Sequence, residues 1–175
     1  MRAARVIAQE YPDVLFVVVG SDRVCYGGDE KHIRHPTFRE HVVAGGDYDL
    51  SKFLFTGLVP VSTLVDILSL SDLHIYLTVP FVLSWSLLNA LACGCTVLAS
   101  NTAPVVEMMV DGENGLLVDF FDVDGLVQRA VEVLRDPTAF RTLGERGAAL
   151  IGERYALGVT LPRLVGLFDR VVREG

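Results

Sequence analysis

Four residues with chemistry to offer fall between Leu77 and Gly94: Ser84, Trp85, Ser86 and Asn89. Ser84 and Ser86 stand where a helix should begin, as N-cap and first-turn residues. The exposed amides of such a helix end hold an anion without any Lys or Arg. The same serines can equally do no more than cap the helix. Asn89 carries an acceptor and a donor on one side chain. Trp85 and Phe81 read either as crevice wall or core, or as a stacking platform.

Other chemistries lack their residues. There is no G-x-G-x-x-G after a strand and no G-x-x-x-x-G-K-[ST], so the standard dinucleotide and P-loop sites are not supported. Cys93-Gly-Cys95 has the wrong spacing for a zinc pair or a redox dithiol, and the two cysteines read as buried and inert. His32, His35, His41 and His74 have no partner at ligand spacing. His32 and His35 read as solvated loop residues, His74 as a satisfied residue of a strand, and no metal is expected. No acidic phosphoacceptor cluster stands at the strand ends, which excludes a receiver-like domain.

The elements that must position these residues follow from apolar runs and their punctuation. Short β-branched stretches at Val14 to Val19, Phe53 to Thr56, Leu73 to Leu77, Thr96 to Ala99 and Gly115 to Val118 alternate with helical ones. This is the pattern of a parallel sheet buried on both faces. Helices are predicted at Arg2 to Glu10, Val61 to Leu70, Ser84 to Cys93, Pro104 to Val110, Val123 to Arg135, Pro137 to Ile151 and about Thr160 to Arg173. Asp122 can cap the helix from Val123, Asp136 with Pro137 ends one helix and starts the next, and Gly94 sits at a C-terminal glycine cap. Gly20 to Ser51 is polar and glycine-rich and longer than a simple connection, a mobile or ligand-covering loop with one short helix near Thr37 to Val43. In open α/β sheets ligands sit at the carboxyl ends of the strands, which gathers Gly57 to Pro60, Thr78 to Ser86 and Ser100 to Val105 around one crevice.

The bulk composition narrows the setting. The 175 residues, 51% hydrophobic, suit one domain with a core that needs no disulfide. A formal charge of -7 argues against a nucleic-acid surface. The longest apolar run, Leu73 to Leu88, is broken by His74, Thr78, Pro80, Ser84 and Ser86, so no transmembrane segment is predicted. Three cysteines, an odd count, and an N-terminus without a signal-peptide pattern point to the cytoplasm.

Taken together, VVVG at Val17 to Gly20, FLFTGLVP at Phe53 to Pro60, SDLHIYL, LLNALACGCTVLAS at Leu87 to Ser100, APVVEMMVDGENGLLVD at Ala103 to Asp119 and the trailing DVDGLVQRAVEVLRDP cover almost the whole chain. This composite resembles the donor-binding C-terminal domain of retaining, GT-B-fold glycosyltransferases of family 4 (group 1). The resemblance implies a doubly wound, Rossmann-like parallel sheet, the C-terminal half of a GT-B fold. Because the chain opens in a helix, it also implies that the family's first strand is lacking. The implied ligand is a nucleotide-diphosphate sugar, contacted at Gly20, Gly57, Leu58, Phe81, Ser84, Trp85, Ser86, Leu87, Asn89 and Glu107. Gly57 and Leu58 match a turn that touches the base through backbone atoms, and Glu107 matches the acidic residue of a P-x-x-E helix; a plain turn and a surface carboxylate are the respective alternatives.

In that family two glutamates handle the donor, and their positions here are Phe81 and Asn89. An Arg and a Lys that neutralise the diphosphate would lie ahead of Met1. The resemblance therefore implies donor binding with no identifiable catalytic residue, a missing or separate N-terminal acceptor domain, and little activity in the isolated chain. A divergent binding or interaction module on the same fold, self-associating or pairing with a separate half, is the alternative.

Overall fold

Alternation along one strand explains the layering of the molecule. The structure is a computed structural model that describes residues 2–23, 31–79 and 83–174. Its central strand β4 (Val97–Ser100) is fully buried. Val97 and Ala99 join one core cluster with Leu68, Leu87, Ala90 and Leu91, while Leu98 joins another with Ile7, Leu126, Val127, Ala130 and Val131. Successive residues of a strand point to opposite faces, so both faces of the sheet are covered by helices. Each fully buried leucine among these contributes about 2 kcal/mol.

Among the described residues five parallel strands form two sheets. β1 (Phe16–Val19) pairs with β2 (Phe53–Gly57), Phe16 opposite Phe53. β3 (His74–Tyr76), β4 and β5 (Leu116–Val118) follow in that order, with His74 opposite Val97 and Leu98 opposite Leu116. The helices are α1 (Arg2–Glu10), α2 (Phe38–Ala44), α3 (Val61–Leu70), α4 (Trp85–Ala92), α5 (Ala103–Val106), α6 (Val123–Arg135), α7 (Pro137–Arg154) and α8 (Leu157–Glu174). Parallel strands joined through helices, with helices on both faces, make the doubly wound α/β arrangement that the sequence predicts, although the described strands divide between two sheets instead of forming one.

The local punctuation acts as its residue types dictate. Asp122 Oδ1 accepts from the Gly125 amide at 2.8 Å to open α6, and Asp136 accepts from the Ala139 amide at 3.3 Å to open α7, with Pro137 in the first turn. Thr37 Oγ1 caps α2 through the Glu40 amide at 3.1 Å, so the short helix inside the long loop forms. α7 continues three residues past Ile151, and α8 starts at Leu157 instead of near Thr160. One expectation fails: the helix predicted over Pro104 to Val110 keeps only Ala103–Val106. Asn114 intervenes, its Oδ1 accepting from the Val110 amide at 2.7 Å and its Nδ2 donating to the Met108 carbonyl at 2.8 Å, and the chain turns toward β5. Side-chain bonds of this kind compete with helical ones. Among the described residues no helix is long and apolar enough to cross a membrane.

Candidate functional site

Two hydroxyl groups fix the turn that leads from β3 into α4. Ser100, buried at the end of β4, accepts from the Thr78 amide at 2.9 Å and donates to the Thr78 carbonyl at 2.9 Å. A hydroxyl has both a donor and acceptors, so one serine satisfies both backbone groups of Thr78. Farther on, the Tyr76 hydroxyl accepts from the Ser84 amide at 3.1 Å. Both side chains come from adjacent parallel strands, and together they hold the start of α4 at the carboxyl end of the sheet. Sequence reasoning places Ser100 at the crevice but not its bonds to Thr78, and it does not single out Tyr76. The only signal is a lone hydroxyl in each of two apolar runs, and its meaning depends on the pairing of the strands.

Ser84 is the N-cap of α4, its Oγ accepting from the Ser86 amide at 3.1 Å, and its carbonyl accepts from the Leu87 amide at 3.2 Å. Capping by Ser84 is thus what the structure displays. Ser86 does not cap; its Oγ lies 3.3 Å from His74 Nε2. His74 is half-buried, and its removal from water pushes its pKa below the ordinary histidine value of 6.5. The positive end of the α4 dipole and two exposed hydroxyls are what this segment presents to an anion.

At the ends of the other two strands, the Gly20 amide donates to the Gly57 carbonyl at 2.9 Å. Gly57 has φ 67°, a left-handed conformation that turns the chain out of β2 and leaves Leu58 exposed. The remaining candidates separate. Asn89 is half-buried on α4 and Glu107 is exposed at the end of α5; neither side chain has a hydrogen-bond partner among the described residues. Trp85 is 80% exposed, which excludes a core role. Leu87 is completely buried among Ala90, Leu91 and Val97, so its side chain belongs to the core and only its backbone lies along the helix start. Phe81 lies outside the described residues.

No group of three or more His, Cys, Asp or Glu residues that could hold a metal ion occurs among the described residues. Cys95 donates its Sγ hydrogen to the Leu68 carbonyl at 3.0 Å; burial, with Cys93 nearby, raises its pKa to about 11. Cys93 is half-buried and its pKa is raised by the same loss of water. Thiols held protonated are poor nucleophiles, in keeping with the inert role predicted for this pair.

Comparison with known proteins assigns this arrangement a place. The sequence family described as "Glycosyl transferases group 1" matches residues 1–136. N-acetyl-alpha-D-glucosaminyl L-malate synthase of Bacillus anthracis is 27% identical over 123 residues, 70% of this chain and 32% of that protein. Sucrose-phosphate synthase of Thermosynechococcus elongatus superposes with a TM-score of 0.78 at 23% identity, over 99% of this chain and 42% of that one. HepE of Anabaena, in complex with UDP and glucose, gives a TM-score of 0.77 at 16% identity over 97% of this chain and 44% of its own. The chain therefore spans about a third of the curated relative and less than half of either solved structure. Its fold is that of the C-terminal half of a GT-B fold.

Proposed function

The chain belongs to the group 1 glycosyl transferases, and we propose from that premise that residues 1–175 form one nucleotide-diphosphate-sugar donor-binding domain of a retaining family 4 enzyme. The base lies against Gly57 and Leu58, the ribose against Asn89, and the diphosphate at the positive end of α4 beside Ser84 and Ser86, with Trp85 flanking it. Gly20 closes the β1 side and Glu107 approaches from α5. The observation that carries this reading is the anchored turn: Ser100 and Tyr76 hold the start of α4 at the carboxyl end of β3, the position at which sheets of this kind present a helix end to phosphate. The UDP held by HepE on the same fold supports it.

The donor is a substrate, and no metal is required to hold it. Asn89 bonds ribose hydroxyls with neutral groups, which are weaker partners than a carboxylate. Phe81 can neither accept a hydrogen bond nor stabilise positive charge developing at a sugar. An N-terminal acceptor domain, supplied from elsewhere in the polypeptide or by a separate one in the cytoplasm, completes the reaction. The isolated chain binds donor without transferring sugar. The residues at 81 and 89 also favour a second reading, a non-catalytic binding module on the same fold.

Thermal unfolding with UDP, GDP, ADP and their sugars tests donor binding. A ligand at one hundred times its dissociation constant adds about 2.7 kcal/mol of stability. Absence of a shift with every nucleotide overturns the reading for this chain.

A further inference from the structure

The direction of one hydrogen bond at the start of α4 is left open by everything around it. Ser86 is exposed in the first turn, and its Oγ lies 3.3 Å from Nε2 of the half-buried His74 on β3. Among the described residues this is the one hydrogen bond of either side chain, so nothing engages His74 Nδ1. A neutral imidazole carries its hydrogen on either nitrogen. With that hydrogen on Nδ1, Nε2 accepts from the Ser86 hydroxyl, whose only hydrogen is then spent. With it on Nε2, the ring donates to Oγ, and the hydroxyl hydrogen can turn to the crevice. The charges nearby give this choice its weight. Residues 57–60, 78–86 and 100–105, the three segments at the crevice, include no Lys, Arg, His, Asp or Glu. β4, which pairs with β3, and α4, which packs on it, carry no ionisable side chain either. α3 shares a core cluster with Tyr76 and contributes only Asp66, which is exposed, as is Asp72 two residues before His74. Burial alone lowers the His74 pKa, and no charged neighbour acts on it.

We propose that His74 is a positioning residue for the donor: a phosphate oxygen beside Ser86 selects the ring that bears a hydrogen on Nε2, so that Ser86 donates to the ligand. This rests on the reading that the donor diphosphate sits at the start of α4. Two ring states meet the requirement. A neutral ring does so by holding its single hydrogen on Nε2. A ring that takes a second proton from solvent bears a hydrogen on both nitrogens, donates to Oγ in the same way, and sets a positive charge one hydroxyl away from the phosphate. Opposite charges favour that second state, and no side chain of the three crevice segments offers another cation. Bound ligand therefore raises the His74 pKa, and by reciprocity a proton on His74 raises affinity for the ligand by the same factor. Affinity is highest below the pKa of the free chain, falls as pH rises through the pKa of the complex, and is level above it.

Calorimetric titrations of the full chain with UDP-glucose, GDP-glucose and ADP-glucose, from about pH 8 to about pH 6, test this. The phosphate diesters of these probes stay ionised throughout, so only the protein titrates. In the unaltered chain affinity rises by about threefold or more toward the acid end, and binding takes protons from the buffer. His74→Gln offers Ser86 an amide N–H that does not titrate, so it keeps binding and loses the slope. His32, His35 and His41 are the same in both proteins and cancel from the comparison. Ser86→Ala, at an exposed position, weakens binding by about tenfold, the worth of one hydrogen bond to a charged group. The imidazole resonances of His74 report a higher pKa once ligand is added. Equal slopes in the unaltered chain and His74→Gln overturn the proposal, as does undiminished binding in Ser86→Ala or a His74 pKa that ligand leaves unmoved. Should His74→Gln fail to fold, the imidazole titration of the unaltered chain decides. If none of the three sugars binds the unaltered chain, the donor-binding reading falls and this inference with it; binding with equal slopes removes the role of His74 alone.

Discussion

Gly144 of α7 sits directly against the carbonyl of Gly94: a Cβ built on Gly144 would come within 2.0 Å of the Gly94 oxygen and 2.8 Å of its carbon. Gly94 has φ 74° and reverses the chain between α4 and β4. One glycine thus supplies the turn and the other lets α7 approach it, although they lie fifty residues apart. Gly144→Ala forces backbone to move and should destabilise by about 1–3 kcal/mol, lowering the unfolding midpoint by roughly 3–10 °C. Gly94→Ala carries a separate conformational cost of about 1–2 kcal/mol. Urea and thermal unfolding check both, and an unchanged midpoint in Gly144→Ala contradicts the contact.

Ser100→Ala strips the Thr78 amide and carbonyl of their side-chain partner in a site where Ser100 itself is fully buried. The expected loss is about 1–3 kcal/mol, the cost of unsatisfied polar groups. The effect should centre on the crevice: faster amide exchange at Thr78 and Ser84, with α6 unchanged. Uniform loss of protection across the chain would mean that Ser100 supports the core and not the turn.

Burial holds the His74 pKa below 6.5 in the folded chain, while the unfolded chain keeps the ordinary value. The unfolded state therefore takes up a proton first as pH falls. Stability is retained above about pH 6.5 and is lost progressively below it, down through the folded pKa. His74→Gln should flatten this part of the profile. Urea midpoints between about pH 7.5 and 5 compare the two proteins, and identical slopes would remove His74 as the cause.

Asn89 has a half-buried side chain with no hydrogen bond among the described residues, so Asn89→Ala should leave the melting temperature of the free chain nearly unchanged. Donor binding should weaken by about five- to tenfold, the value of one neutral hydrogen bond of about 1 kcal/mol. Asn89→Glu should instead tighten it, since a carboxylate bonds a diol with charge assistance. Calorimetric titration with the nucleotide that stabilises the chain decides this. Weaker binding in the glutamate variant would place the ribose elsewhere.

Signals carried by neighbours in sequence were legible beforehand. Asp122 and Asp136 cap amides three residues away, and Gly94 ends its own helix, so residue type alone locates them. Signals carried by neighbours in space were not. Ser100 and Thr78 are twenty-two residues apart and meet because β3 and β4 lie side by side, and no local pattern announces that register. The early end of α5 depends on Asn114 reaching back to Val110 and Met108, beyond the reach of propensity. Leu87 and Ser86 are adjacent, yet one faces the core and the other His74; helical phase separates them, while a resemblance treats them as a block.

The indole of Trp85 gives this crevice its own spectroscopic voice. It is the only tryptophan in the chain and lies in the first turn of α4, four-fifths exposed. Unfolding moves it from water to water, so its emission is a poor gauge of whether the protein is folded. A solute that settles on the start of α4 strips water from the ring, and the resulting blue shift reports occupancy at that one place.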